Sequence, residues 1–417
     1  VTEVAERRRW AIDMRPLRVP AYRRLWIGNA VSFYGFQFTA VAVPVQMYAM
    51  TGDSFWVGLL GVAALVPLLV FGLWGGAVAD AVDRRLLLLA SSALMWTATL
   101  GLLAQAFLRA DRKMLLLGLV ALQSIAFAVS MPARQAIVPR LVPVEQVPAA
   151  NTLGFTTSNA ATVLGPLTAG VVFASSPLEV GLPIAYGVDA ALFTVVLWAC
   201  LRLPPVPPTR AGARPVGLRG VADGLRYLAT APVLLLSFAI DIIAMVLAMP
   251  RALFPEVATE RFGGGAAVGW LYSAIAIGSV LGGLTSGWIG RVHRQGLALV
   301  VAVVCWGLAI AFSGLAGRLW VMVLLLAAAG AADLVSAVYR TSLLQTYAPD
   351  RLRGRLQGVF TVVVAGGPRL GDLRAGAMAG AYGVGLAWVG GGVAAAVLAV
   401  LLAVAFPSLL RYSSAGR

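Results

Sequence analysis

The feature that most constrains this chain is a series of uninterrupted apolar runs, each about as long as a helix needs to cross a bilayer. They fall at 25–50, 54–79, 86–108, 114–134, 149–174 and 181–201, and again at 232–255, 266–290, 296–317, 319–341, 356–380 and 382–407. A hydrocarbon core about 30 Å thick is crossed by about 20 helical residues. Backbone groups in lipid must bond within the chain, so continuous apolar runs become helices, whereas barrel strands would alternate over about ten residues. The reading is therefore an all-α polytopic membrane protein of 12 transmembrane helices in two six-helix bundles. Only 12% of residues are charged and 60% are hydrophobic, against about 25% charged in soluble domains.

The net charge of +15 has two readings, nucleic-acid binding or membrane topology. With the N-terminus inside and the runs alternating, most basic residues fall on the cytoplasmic side. These include Arg7 to Arg9, Arg23, Arg24, Arg84, Arg85, Arg134, Arg140, Arg291, Arg294, Arg340 and Arg351 to Arg355. The other side receives Arg109, Arg112, Lys113, Arg251, Arg261 and Arg318. That asymmetry predicts both termini inside and makes nucleic acid an unneeded partner. Cys200 and Cys305 lie in apolar runs and read as buried thiols; with His293 as the only histidine, neither a zinc cluster nor a Ser-His-Asp triad is expected. No complete phosphate-binding loop occurs, so neither cofactor nor metal is implied. The polar N-terminus does not read as a cleaved leader, and its basic arm, with Trp10 and Leu17, suits an anionic lipid surface.

A proline-rich stretch from Leu203 divides the runs six and six. The expected organisation is 1–202 for the first bundle, 203–231 for a cytoplasmic linker and 232–417 for the second bundle. Within the linker, Leu218, Val221, Leu225 and Leu228 recur at helical spacing and predict an interfacial amphipathic helix. Glycine-rich run ends followed by basic turns occupy matching places in the two halves: Gly72 to Arg85, and Gly282 to Arg294. This is a weak internal repeat of the kind found in transporters.

On these features the chain resembles the major facilitator superfamily. The turn with Gly76, Asp80, Asp83, Arg84 and Arg85 resembles its signature loop, although Ala81 and Asp83 replace the usual Arg and Gly. In the family this loop is a conformational latch. A closer resemblance is to the enterobactin-exporter-like branch. It rests on Val41-Ala-Val-Pro-Val-Gln46, Met50-Thr51, Val57-Gly-Leu59, Gly283-Leu-Thr-Ser-Gly287, Leu344-Gln-Thr346, Pro349 and Gly354-Arg355. The resemblance implies a proton-coupled secondary exporter of a siderophore or similar small metabolite, working by alternating access in the inner membrane. Related branches export macrolides and other drugs, and lipid translocation by the same fold is a further alternative. No ATP is implied, and a monomer is expected.

Ionisable side chains inside a membrane are costly and usually face the bundle interior. Asp241, Asp333, Arg369, Asp372 and Arg374 fall within apolar runs, and Asp189 lies near the start of another. Arg369 and Asp372, three apart, can share a face. Either an Asp takes a proton while Arg meets an anionic cargo, or the charges neutralise one another structurally. An Asp firmly paired with Arg is a poorer proton carrier, which places Asp241 and Asp333 ahead of Asp372. Polar residues of the first run, Gln37 above Ser32 and Tyr34, are expected on a substrate cavity with Asn159 and Arg369. Gly165-Pro166 resembles the superfamily's fifth-helix antiporter motif, here with Ala161 where Gly is usual, and Gly367-Pro368 is its counterpart. A proline inside a helix leaves a carbonyl unpaired, so both are gating or kink candidates.

Overall fold

The structure, a computed structural model, describes residues 13–206, 226–347, 350–410 and Tyr412, with side chains placed except at 73–81, 135, 350–355 and 358. Six long helices come first: α1 (Pro20–Thr51), α2 (Ser54–Ala81), α3 (Arg84–Phe107), α4 (Lys113–Leu141), α5 (Val147–Ser175) and α6 (Leu178–Leu201). After the proline-rich stretch come α7 (Pro232–Ala248) and a short helix, Phe254–Phe262. Then follow α8 (Ala266–Leu284), α9 (Gln295–Gly314), α10 (Leu319–Tyr347), α11 (Asp350–Tyr382) and α12 (Gly391–Ala405), the last entered through a π-helical turn, Leu386–Gly390.

Local chemistry sets several of these ends. Pro20 opens α1 at its first position, where its missing N–H costs nothing. Gly52 closes α1 in the left-handed conformation, its N–H donating to the Tyr48 carbonyl at 2.7 Å. Asp83 caps α3 by accepting the Arg85 N–H at 2.8 Å.

Among the described residues, nine helices are long and apolar enough to cross a membrane, against twelve apolar spans expected. α1, α5 and α11 are not among the nine. They carry more polar side chains than the others: Ser32, Gln37, Thr39 and Gln46 in α1, Asn151, Thr152, Thr156, Thr157, Ser158 and Asn159 in α5, and Arg369, Asp372 and Arg374 in α11. Such residues lower the mean hydropathy by which a span is recognised.

Packing repeats along the chain. α1 packs on α5 and α6, α2 on α4, and α3 on α4 and α6. Six helices later, α7 packs on α11 and α12, α8 on α10, and α9 on α10 and α12. The two sets meet along two seams, α2 against α11 and α5 against α8, which exchange under the same six-helix offset.

Both seams are built on glycine near the end that holds the α1–α2 turn. A Cβ on Gly58 would stand 2.5 Å from the Asp372 carbonyl oxygen of α11. A Cβ on Gly170 of α5 would stand 2.8 Å from the Gly269 Cα of α8. At this same end the Tyr48 hydroxyl donates to Glu260 at 2.7 Å, and the Ser54 hydroxyl donates to Glu256, joining the first set to the short helix. Further along the same helices, Gly72 of α2 and Gly154 of α5 have open space where a Cβ would be.

Several expectations meet a different arrangement. Cys200 is buried, but Cys305 is exposed, because its face of α9 turns outward. Arg134 and Arg340, counted with the cytoplasmic loops, belong to helices: α4 and α10 run on to Leu141 and Tyr347, beyond their apolar runs. Leu17 packs beside Tyr22 and Val142. Trp10 and most of the amphipathic segment lie outside the described residues; residues 226–230 are helical, with Leu228 buried.

Candidate functional site

Two cavities stand out among the described residues. A central cavity of about 360 Å³ lies between the two helix sets. Its walls bring Thr39, Val43 and Pro44 of α1, Gly61 of α2 and Gln123 of α4 against Arg251, Tyr272 of α8, and Pro368, Arg369 and Asp372 of α11. A larger cavity of about 730 Å³ lies within the first set. There Asn29, Ser32 and Arg134 sit among Trp26, Phe33, Phe127, Phe155 and Phe193. Phe36 of α1 is on both walls. Both volumes fall in the range of small-molecule sites, about 300–1,000 Å³.

In the larger cavity the Arg134 guanidinium donates to the Asn29 side-chain oxygen. Among the described residues no carboxylate pairs with it. A cation without a counter-ion, set among aromatic rings, is suited to an anionic aromatic ligand.

In the central cavity Asp372 accepts the Ala252 N–H at 3.1 Å. Arg369 does not pair with Asp372. It turns back to donate to the Ala365 carbonyl of its own helix at 2.6 Å. Ala365 stands three residues before Pro368, in the turn where the proline removes a rung of the helix ladder. The other proline repeats the arrangement: the Val163 carbonyl, three residues before Pro166, accepts the Ser273 hydroxyl of α8 at 2.9 Å. Neither proline breaks its helix, since α5 and α11 are continuous. Gly165 meets Gln37 of α1, and Gly367 meets Met245 of α7. Arg251 lies over the Tyr272 ring, 5.8 Å from its centroid.

A third group lies inside the second set. Arg340 of α10 forms an ion pair with Asp241 of α7 and reaches Asp333, two turns earlier on its own helix, at 3.4 Å. Arg340 and Asp241 are buried, while the Asp333 side chain is 31% exposed. The expectation that Asp241 and Asp333 stand apart from arginine is thus reversed. They share one guanidinium, and Asp372 has only a backbone partner within hydrogen-bonding distance among the described residues. Arg374 is a staple: it donates to the Val246, Leu247 and Ala387 carbonyls, satisfying the C-terminal end of α7.

Of the other cavity candidates, Ser32 lines the larger cavity. Gln37 is buried against Gly165, Tyr34 donates to Thr168 at 2.8 Å, and Asn159 donates to the Phe155 carbonyl of its own helix. None of these three lies on either wall. The α2–α3 turn is tied to the end of α6: Arg85 donates to the Leu201 carbonyl at 2.7 Å, and Asp83 accepts from Val206 at 3.3 Å. The side chains of Gly76 and Asp80 lie outside the described residues. Sequence reasoning missed Arg134, Arg251 and Arg340 as interior charges. Each stands near the end of an apolar run and reads as a loop residue.

Residues 11–415 match the family model described as transmembrane secretion effector, of the major facilitator group. The enterobactin exporter EntS of Citrobacter koseri is 30% identical over 375 residues, 88% of this chain and 87% of that protein. The enterobactin exporter EntS of Shigella boydii is 30% identical over 400 residues, 91% of this chain and 93% of that protein. Among solved structures, the nucleoside transporter NupG aligns with a TM-score of 0.72 at 17% identity, covering 94% of this chain and 99% of that one. A bacterial homolog of the human lysosomal transporter Spinster, in an inward-facing and unoccupied conformation, aligns with a TM-score of 0.71 at 17% identity, over 95% and 97% of the two chains.

Proposed function

As the chain belongs to the transmembrane secretion effector family of the major facilitator superfamily, and so is a multi-pass inner-membrane transporter and not an enzyme, we propose that it exports an anionic aromatic metabolite of the siderophore kind in exchange for protons. The observation that carries this reading is Arg134, which faces a large aromatic-walled cavity without a carboxylate partner among the described residues. The relatives named as enterobactin exporters support the same cargo class.

The two six-helix bundles, 1–202 and 232–417, rock about the central cavity and are joined through 203–231. The repeated packing pattern supports that division. With both termini cytoplasmic, the glycine seams close the outer end, and the larger cavity loads from inside. The Asp83–Arg85 turn, bound to α6, holds the first bundle together as part of the latch. Asp372 and Arg369 stand where cargo would cross between the bundles. Asp241 and Asp333 set two carboxylates against one guanidinium, leaving one negative charge that a proton can neutralise. Asp333, the more exposed of the two, exchanges it.

The mostly apolar walls also favour a second cargo class, macrolides and other amphipathic drugs. Everted vesicles carrying the full chain separate the two. Catecholate anions such as 2,3-dihydroxybenzoate conjugates are expected to accumulate under an imposed pH gradient, and Arg134→Gln is expected to raise their half-saturation concentration. Gradient-driven accumulation of macrolides alone, indifferent to Arg134→Gln, would sink the anion reading.

A further inference from the structure

Asp189 of α6 is 1% exposed, deep among α1, α3 and α4. Its Oδ2 accepts the Thr39 hydroxyl of α1 at 2.6 Å and lies 3.5 Å from the Thr99 hydroxyl of α3. Gln123 of α4 donates to Thr99 at 3.0 Å. Oδ1 has no partner. The absence of a side chain at Gly35 makes the space for it: a Cβ there would stand 3.2 Å from Oδ1.

Among the described residues no charged group offsets this carboxyl. Around it, α1 presents Gly35 and Thr39, α3 presents Thr99, α4 presents Gln123 through Thr99, and none of these titrates. On α6 itself Tyr186, one turn earlier, gives its hydroxyl to Gln46. Arg134 binds Asn29, which precedes Gly35 on α1 by about 9 Å of helix rise. A lone charge in such a place is costly unless it is paired. The pocket is nevertheless not sealed from the transport route, because Thr39 and Gln123 both stand on the wall of the central cavity.

We infer that Asp189 is a proton-binding site of the first helix set, reached from the central cavity on whose wall Thr39 and Gln123 stand. The proton is carried on Oδ1, the oxygen that accepts nothing, while Oδ2 keeps its hydrogen bond from Thr39 in both states. Cargo or water in the central cavity supplies or removes the proton as the cavity changes sides. The inference rests on the proton-coupled reading above, but it concerns a different carboxyl from the Asp241–Arg340–Asp333 group and lies in the other helix set.

The test uses the purified full chain and infrared titration of carboxyl C=O bands, which needs no cargo. Wild type is expected to show a band that disappears as the pH is raised and that is missing in Asp189→Asn. Thr39→Val is expected to move its midpoint, and Thr39→Ser to restore it. In vesicles Asp189→Asn is expected to lose gradient-driven accumulation while keeping cargo counterflow. A band that never titrates, a titration unchanged by Thr39→Val, sodium-driven transport that needs Asp189, or an Asp189→Asn protein with wild-type gradient dependence would each overturn the inference. Should wild type move no aromatic anion at all, the cargo reading fails while the infrared result still decides Asp189. Should Asp189→Asn not fold, the Thr39 pair decides it.

Discussion

Gly170 of α5 and Gly269 of α8 meet backbone to backbone, with a Cβ on Gly269 falling 2.9 Å from the Gly170 Cα. Real Cβ atoms do not come that close, so Gly269→Ala must push the two helices apart. Overpacking of this sort costs about 1–3 kcal/mol. The expected outcome is weakened closure at the α1–α2 end. A cysteine at Val57, a buried position lining the central cavity, should then react faster with an impermeant maleimide in Gly269→Ala than in the parent protein.

The Arg340–Asp241 pair is buried on both sides. Removing one partner leaves an uncompensated charge, and such changes cost about 3–5 kcal/mol. Arg340→Gln is expected to lower thermal stability in detergent more than the double variant Asp241→Asn/Arg340→Gln. A double variant no more stable than the single would show that the pair does not hold α7 to α10.

Asp333 shares that arginine, but its side chain is 31% exposed. Asp333→Asn is expected to fold and to uncouple transport. The lumen of an everted vesicle corresponds to the outside of the cell. Protons entering the cell as cargo leaves therefore correspond to protons leaving the lumen. Acidifying the lumen should speed cargo accumulation, an ionophore should abolish it, and Asp333→Asn should be indifferent to both. Retained gradient dependence in Asp333→Asn would leave proton coupling to Asp189 and Asp372.

Ser273 serves the carbonyl of Val163 that lies next to the Pro166 gap. Side-chain hydrogen bonds between membrane helices are worth about 0.6 kcal/mol on average. Ser273→Ala should cost about that much stability. The rung that Pro166 removes is the one to the Thr162 carbonyl, so the cost of Ser273→Ala should be the same in a Pro166→Ala background in the same thermal measurement.

The helices were legible because lipid allows so little else. Runs of apolar residues gave their order and rough positions. What the runs do not give is helix length. α4 and α10 extend past their apolar stretches to Leu141 and Tyr347, so Arg134 and Arg340, at the run ends and counted with the cytoplasmic side, sit about two turns inside their helices. Nor does spacing along one helix reveal a partner on another. Arg369 and Asp372 share a helix at a favourable interval, yet one turns to Ala365 and the other to Ala252. The ion pair formed instead between residues far apart in sequence. Asp189 was visible as a charge in an apolar run, but its neighbours Thr39, Thr99 and Gln123 come from three other helices.

Phe36 stands on the walls of both cavities, so a turn of its ring changes the shape of both chambers at once. A side-chain rotation takes nanoseconds or less where it is free, and domain rocking takes microseconds to milliseconds. That change of shape is therefore fast beside the turnover of the bundles. A large cargo, filling more than the 730 Å³ of one chamber, has to hold the ring aside for as long as it stays.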